Sequence, residues 1–410
     1  MHLQPDVVLA FSGGLDTSFC VPWLIERGYR VTTLFVDTGG VDDDERAYIE
    51  QRAMDLGAHR HVTRNAADEL WSSFVAPFVQ SGLAYQNQYP LLCSDRYVIA
   101  RHMTELAREI GTNLVAHGCT AAGNDQFRFD QSIRSLGDFE ILAPIRAIQS
   151  ETTSLRPYEQ TYLAERGFEV RAKTSRYTIN ENVLGVTVSG GVIDDFAAPP
   201  DDTRVLTAPR SMWPMQPLTA AIGFEQGVAT TLNGSPIDGP DLLARLNADF
   251  GAYGVGRGIY TGDTTIGLKG RIAFECPGLA ALLIAHRALE EAVLTKHQNA
   301  FKPFVSRRWV ELVYEGFFFD PLKDDLESFI TSTQQFVTGD VTIETAGGVC
   351  HAIAVDSPHI LRRPDATYAQ GATWTSEQAE GFIRLYGQSS LLAQARLHSP
   401  AAVEPAPCPS

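Results

Sequence analysis

The sequence predicts an α/β chain: a doubly wound parallel sheet at the amino end, a mixed α+β region after it, and a helix near the carboxy terminus. Three observations carry that prediction. Short β-rich runs alternate with helical patterns from Asp6 to about Arg146, the signature of βαβ units around a sheet covered on both faces. Near Arg171 the pattern changes to alternating strands and glycine-rich turns. The length of 410 residues, at roughly 150 per domain, asks for two or three domains. The expected boundaries are 1–170, 171–386, 387–398 for the terminal helix and 399–410 for a tail.

In order, Val7–Phe11, Arg30–Val36, His59–Val62, Asn113–His117 and Phe139–Leu142 read as strands. Thr17–Arg27 reads as a helix closed by Gly28, because glycine reaches the left-handed C′ conformation without cost. Asp42 with Glu45 three residues on reads as a capping box opening a helix to about Leu56. The acidic run Asp42 to Glu45 is a charged first turn favoured by the helix dipole rather than a metal site. A third helix runs from Ser94 or Asp95 to Ile110, stopped by Gly111, and a fourth spans Pro157–Arg166. The second region contains a helix from about Leu279 to Lys296, and Gly254-Val-Gly-Arg-Gly258 reads as a turn. Gln388 to Arg396, with Leu391 and Leu392, is a short helical run, and four prolines after Ser399 make the tail disordered.

Composition narrows the function classes. With 44% hydrophobic and 20% charged residues the chain is neither disordered throughout nor a fibrous repeat. The net charge of −16 argues against a broad nucleic-acid footprint or an anionic membrane surface as partner. No apolar run reaches the ~18 residues of a membrane helix, and the start lacks the pattern of a secretory signal. The six cysteines are scattered without metal spacing, which fits free thiols in the cytoplasm.

The chemistry gathers at the end of the first strand. Ser12-Gly-Gly-Leu-Asp-Thr-Ser18 lies where that strand turns into a helix, so backbone N–H groups and the helix amino terminus converge on one place suited to an anion. Gly13 and Gly14 permit close backbone approach, Ser12, Thr17 and Ser18 offer hydroxyls, and Asp16 suits orienting a hydroxyl or helping to hold magnesium. The loop has no lysine, unlike a Walker A loop, and so fits a diphosphate that departs as a unit. The bland alternative is a tight turn. After the fourth strand, Gly118 to Asp130 supplies an amide at Asn124, a carboxylate at Asp125 and a fork donor at Arg128, or else an ordinary polar loop. His117 reads as a satisfied core histidine.

The first loop resembles the PP-loop of N-type ATP pyrophosphatases. Tyr89-Pro-Leu-Leu-Cys-Ser94, His117-Gly-Cys-Thr-Ala-Ala-Gly-Asn-Asp-Gln-Phe-Arg-Phe-Asp130, Tyr177-Thr-Ile-Asn-Glu-Asn182 and Gly267-Leu-Lys-Gly-Arg271 follow it in the order of the argininosuccinate synthase family. The resemblance covers about Val7 to Leu392. It implies an ATP- and magnesium-dependent ligase joining citrulline to aspartate, in a homotetramer embraced by its carboxy-terminal helices. It implies ATP contacts from Ala10, Phe11, Ser12, Gly13, Gly14, Leu15, Asp16, Thr17, Ser18, Val36 and Gly118. Thr120, Asn124 and Asp125 would face aspartate; Tyr89, Ser94, Asn124, Arg128, Thr178 and Thr187 would face citrulline. Asp16 and Asp125 are the catalytic candidates, and no metal ligand set is assigned. Read alone, Tyr89 serves equally as a loop anchor and Ser94 as a helix cap.

Three departures bear on this. Ala122 stands where the family has a lysine, and Gly262 and Phe274 stand where it has a citrulline-binding Glu and Tyr. Asp263 is the candidate replacement carboxylate, with an N-acylated citrulline, another PP-loop ligase reaction, or a nucleotide-binding regulator without turnover as the alternatives.

Overall fold

The structure, a computed structural model, describes residues 4–398 apart from 153, 170–176, 364, 366, 367 and 369. The residues up to His359 form one compact unit and those from Ile360 a second. The first unit opens with β1 (Asp6–Ala10), α1 (Leu15–Glu26), β2 (Arg30–Asp37), α2 (Asp43–Asp55) and β3 (Arg60–Asn65). A broken helical stretch follows, α3 (Ala67–Leu70) and α4 (Ala76–Ser81) with a π-turn between them, then α5 (Asp95–Ile110), β4 (Leu114–Ala116), α6 (Asn124–Leu136), β5 (Glu140–Leu142), α7 (Pro144–Ile148) and α8 (Leu155–Glu165).

The five strands are parallel in the order β3-β2-β1-β4-β5. Period-2 alternation along β1 shows why both faces are covered: Val7 and Leu9 pack with Phe19, Leu24 and Leu163 of α1 and α8, while Val8 and Ala10 join Tyr97 and Val98 of α5 on the other side. Asp42 caps α2 by accepting the Glu45 N–H at 2.8 Å, and Gly111 ends α5 in the left-handed conformation, both where the sequence places them. The segment from Asn124, for which a polar loop is the alternative to a ligand-contacting stretch, is a helix. Gly123 lies extended at its N-cap, and Arg128, Phe129, Ser132 and Ile133 recur at helical spacing to make one buried face.

The rest of the first unit holds two antiparallel sheets. One joins β6 (Thr178–Asn182) and β7 (Gly185–Ser189) to a later hairpin, in the order β11-β12-β7-β6. The other has the order β10-β9-β8-β13-β14, with β8 (Leu218–Glu225), β9 (Val228–Leu232), β10 (Ser235–Pro236), and at its far end β13 (Gly339–Thr345) and β14 (Cys350–Asp356). Between them run α9 (Gly239–Gly251), the hairpin β11 (Arg257–Asp263) and β12 (Lys269–Glu275), and the helices α10 (Pro277–Val293), α11 (Lys296–Glu315) and α12 (Pro321–Thr333). Gly254 and Gly256, in the expected turn before β11, take φ of 71° and 79°. The expected helix to Lys296 ends at Val293, because Thr295 and Gln298 form a capping box that starts a new helix. A buried polar network ties the helices together: Lys302 reaches Glu290 at 2.7 Å, and Gln334 bridges Glu290 and His286 at 2.7 and 2.9 Å.

In the second unit, α13 spans Ser376–Leu397, opened by a Thr375–Gln378 capping box well before Gln388. None of its residues is buried, and Phe382, Ile383, Leu385, Tyr386, Leu391 and Leu392 are all exposed. The tail from Ser399 and the pattern change at Arg171 lie outside the described residues.

Candidate active site

In an open parallel sheet ligands bind beyond the carboxyl ends of the strands, at the point where strand order reverses. Here that point lies between β1 and β4. β1 ends at Ala10, and the Phe11 N–H still donates to Leu34 O at 2.8 Å, so the loop leaves from a fixed edge. Gly13 takes φ of 72°, and a Cβ there would sit 3.1 Å from Ile49 Cγ1 of α2, which is why glycine is required. Ser12 Oγ lies 3.2 Å from Thr17 Oγ1, and the Ser12 N–H donates to that same Thr17 oxygen at 3.3 Å. The first intrahelical bond of α1 is Ser18 N–H to Gly14 O at 2.9 Å, so the N–H groups of its first turn have no intrahelical partner and make the positive end of the helix that attracts an anion. Val36 is buried in β2, alongside the start of the loop.

Gly118, just after β4, closes on this loop. A Cβ there would lie 3.2 Å from Thr17 Cγ2 and 3.4 Å from the Thr17 backbone nitrogen. His117 fixes the turn behind it: its Nδ1 accepts the Cys119 N–H at 3.2 Å, and its Nε2 meets Asp130 Oδ1 at 2.8 Å. Arg146 clamps the same carboxylate at 2.9 and 3.0 Å. Burial works against ionisation of Asp130, but His117 and Arg146 prevail and hold it well below the usual carboxylate range. His117 is thus a satisfied buried histidine, as read, but one that holds the Gly118 turn.

Cations the sequence reading did not name surround both loops. Arg52 Nε of α2 lies 3.4 Å from Ser18 Oγ, placing a positive charge by a loop that has no lysine of its own. Asp16 points across to Glu159 of α8, with Arg156 beside the pair. Burial raises the Asp16 carboxyl above its ordinary range, and burial followed by the Asp16 charge pushes Glu159 up to about 8. Arg156 also hydrogen-bonds the Thr178 hydroxyl, linking this pair to the β6–β7 hairpin. Arg156 and Glu159 are three apart on one helix face; only the packing of α8 on α1 reveals their target.

The second constellation sits at the start of α6. Asp125 accepts from Arg128 Nη1 at 2.7 Å and from Arg96 Nε at 3.2 Å. Burial would raise its pKa, but the two guanidinium groups hold it below the usual range, which makes it a fixed anion and a poor proton acceptor. Arg128 spends two further N–H groups on the carbonyl of Tyr314 at 3.0 and 2.8 Å, and its guanidinium lies 5.0 Å from that ring. Asn124 donates to the Tyr314 hydroxyl at 3.1 Å and accepts from the Thr265 N–H and hydroxyl, both at 2.9 Å. Thr120 accepts the Ala122 N–H at 3.4 Å on the turn between the two loops.

The third wall comes from three separate places. Tyr89 is buried, its ring 5.5 Å from Tyr260, 5.9 Å from Phe274 and 6.1 Å from Tyr314. Ser94 does not cap α5 through its side chain; its hydroxyl donates to Leu91 O at 2.8 Å. Thr187 stands opposite Phe274 across the β7–β12 ladder, and the hairpin tip is anchored by Asn182 donating to Leu92 O at 3.0 Å. Tyr89, Thr187, Asn124 and Arg128 are thereby brought to one region. The Asp263 carboxylate is not. It pairs with Lys269 at 2.6 Å and is 46% exposed, because alternation along β11 turns it away from the face that carries Tyr260 and Gly262.

A five-stranded parallel sheet with a lysine-free glycine loop at its switch point, and an amide, carboxylate and guanidinium set beside it, is the architecture of a HUP-class domain. The family description "Arginosuccinate synthase N-terminal HUP domain" matches residues 6–169 and "Arginosuccinate synthase C-terminal domain" matches residues 177–393. The chain belongs to the argininosuccinate synthase family. It is 60% identical to the argininosuccinate synthase of Xanthomonas campestris pv. campestris over 94% of this chain and 98% of that one. The Xylella fastidiosa enzyme of the same name is also 60% identical, over 94% and 96%. The Bacillus subtilis enzyme is 37% identical, again over 94% and 96%.

Proposed function

We propose that this protein is the ATP-dependent ligase that joins citrulline and aspartate, forming argininosuccinate, AMP and pyrophosphate. The observation that supports the reading is the closure of Gly118 on the Ser12–Ser18 loop beside Asn124, Asp125 and Arg128, an arrangement in which a nucleotide and two amino acids would meet around one point. The ureido oxygen of citrulline attacks the α-phosphate, pyrophosphate leaves as a unit towards the first-turn N–H groups of α1, and the aspartate amine then displaces AMP at the ureido carbon. No side-chain nucleophile is required. Asp125, held ionised by Arg96 and Arg128, positions the ammonium of aspartate rather than accepting its proton, with Asn124 and Thr120 near its carboxylates.

Among the described residues no cluster of three or more His, Cys, Asp or Glu side chains gathers as a metal site. Magnesium bound with the nucleotide would be held beside the hydroxyls of the Ser12–Ser18 loop, since the Asp16 carboxyl is turned to Glu159. When bound it would neutralise charge on the departing pyrophosphate. The chain would work as a homotetramer in the cytoplasm; no helix among the described residues is long and apolar enough to cross a membrane.

Two experiments test this reading. Mixing the protein with ATP, citrulline and aspartate should release AMP and pyrophosphate in equal amounts, and ATP binding without turnover would replace the ligase with a regulator. Asp16→Asn should lower pyrophosphate release by about tenfold to a hundredfold with folding intact, since an amide still bonds Glu159 but ends the ionisable pair behind the first turn of α1; wild-type turnover would remove Asp16 from the mechanism. For assembly, a chain ending at Thr375 lacks the whole exposed apolar face of α13 and should fall to a smaller oligomer by light scattering. An unchanged mass would take α13 out of the interface, whereas ending the chain at His398 should change nothing.

A further inference from the structure

Side chains alternate along a strand, so Tyr260 and Gly262 share the inner face of β11 while Asp263 stands on the other. A Cβ built on Gly262 would run into the Tyr260 hydroxyl and the ring carbon that bears it, and would lie 2.7 Å from Cε2. Tyr260 therefore fills the volume where any side chain at 262 begins, and an acidic residue has no room there while Tyr260 holds its place. A Cβ on Gly258 would likewise lie 2.9 Å from two ring carbons of Phe274.

The ring of Tyr260 faces a set of tyrosines, 5.5 Å from Tyr89, 6.1 Å from Tyr85 and 6.3 Å from Tyr314. Its hydroxyl lies 3.2 Å from Gln86 Oε1 and 3.4 Å from the Asp263 carbonyl. Burial, and then the neighbouring Tyr314 and Tyr85, push that hydroxyl far above the ordinary tyrosine range, so it stays neutral at any working pH. The polar groups around it are the Gln86 amide, the Asp263 main-chain carbonyl and the Tyr314 hydroxyl, with the Asp263 carboxylate close enough to act on it through its charge.

We infer that Tyr260 recognises the amino end of the ureido substrate in place of an acidic side chain, through its hydroxyl and ring face rather than through an ion pair. This rests on the reading above that citrulline lies against Tyr89. A tyrosine oxygen accepts a hydrogen bond from an ammonium, and an aromatic face attracts a cation. The same groups accept a neutral amide N–H nearly as well, whereas a buried carboxylate would lose its charge partner. The site therefore discriminates weakly between a free and a blocked amino end.

The test compares kcat/KM for citrulline and for N-acetylcitrulline in the wild type, in Tyr260→Phe and in the double variant Tyr260→Ala/Gly262→Glu. The wild type should prefer citrulline by less than about tenfold. Tyr260→Phe should raise the citrulline KM about five- to tenfold with kcat within about twofold, the mark of lost binding without lost chemistry. The double variant, which clears the ring and restores an acid, should widen the preference for the free amine by about tenfold or more. An unchanged citrulline KM in Tyr260→Phe overturns the inference, and so does an unchanged ratio in a folded double variant. Because Tyr260→Phe keeps the ring, it decides the matter even where the double variant fails to accumulate. Release of no AMP or pyrophosphate from either compound by the wild type would defeat the ligase reading itself, and this one with it.

Discussion

Replacing Gly118 with valine should cut ATP-dependent turnover by about a thousandfold while the protein still folds, because the substitution displaces the start of α1 and not the core. The glycine is not in a left-handed conformation, so the cost comes from contact and not from backbone strain. A Cβ there lies 3.2 Å from Thr17 Cγ2 and 3.4 Å from the carbonyl carbon of Asp16 and the nitrogen of Thr17. Two of those three atoms are backbone and cannot swing aside. Alanine asks the neighbours to give by a few tenths of an ångström; the branched methyls of valine reach into the volume before the first-turn N–H groups. A shift of about 1 Å in a positioning element costs roughly a hundredfold, and here it moves the anion-binding turn and the Thr17 hydroxyl together. Pyrophosphate release at saturating citrulline and aspartate gives the turnover, the ATP concentration dependence gives binding, and a thermal melt within about 3 °C of wild type separates the effect from misfolding. A valine variant with the wild-type ATP requirement would show that this contact is not at the nucleotide.

The parallel sheet and its anion loop were legible because their signals are local. A strand of alternating apolar residues, two glycines and a helix with Asp16, Thr17 and Ser18 in its first turn lie within thirteen residues of each other, Asp6 to Ser18. Asp42 and Gly111 announced helix ends for the same reason. What stayed hidden depends on contacts far apart in sequence. Tyr314 meets Asn124 and Arg128 across 190 and 186 residues, and it sits near the end of α11, where it carries no motif. Glu159 reaches Asp16 only because α8 packs on α1, and a carboxylate at that spacing in a helix ordinarily faces water. Asp263 illustrates the opposite failure: it is next to Gly262 in sequence, but the period of two in a strand puts neighbours on opposite faces, so adjacency pointed to the wrong side. The length of α13 was underestimated because Gly381 and Gly387 interrupt the helical pattern that the Thr375 capping box initiates.

Asp125→Ala should damage aspartate use far more than ATP use, and it should also destabilise the fold, whereas Asp125→Asn should do the first with less of the second. The reason lies in Arg128, whose side chain is only 4% exposed and whose Nη1 has Asp125 as its carboxylate partner at 2.7 Å. Removing one member of a fully buried ion pair costs about 3–5 kcal/mol through the charge left behind. About a third of the Asp125 side chain is open to water, so solvent screening lowers the expected loss to about 2–3 kcal/mol. The amide of asparagine still accepts from Arg128 and keeps the helix start in place, but it offers no charge to the aspartate ammonium. Its aspartate KM should rise about a hundredfold with the ATP requirement within about threefold. The pH dependence supplies an independent check. The folded-state pKa of Asp125 is depressed, since Arg96 and Arg128 outweigh the burial that opposes them, so its contribution is present above the unfolded value of about 3.9 and is lost as pH falls through the folded one. The gap in melting temperature between wild type and Asp125→Asn should therefore be full at pH 6 and close as the pH is taken below about 4. A gap that persists in acid would assign the loss to packing, and equal rises in the ATP and aspartate requirements would move Asp125 from the aspartate site to the general scaffold of the loop.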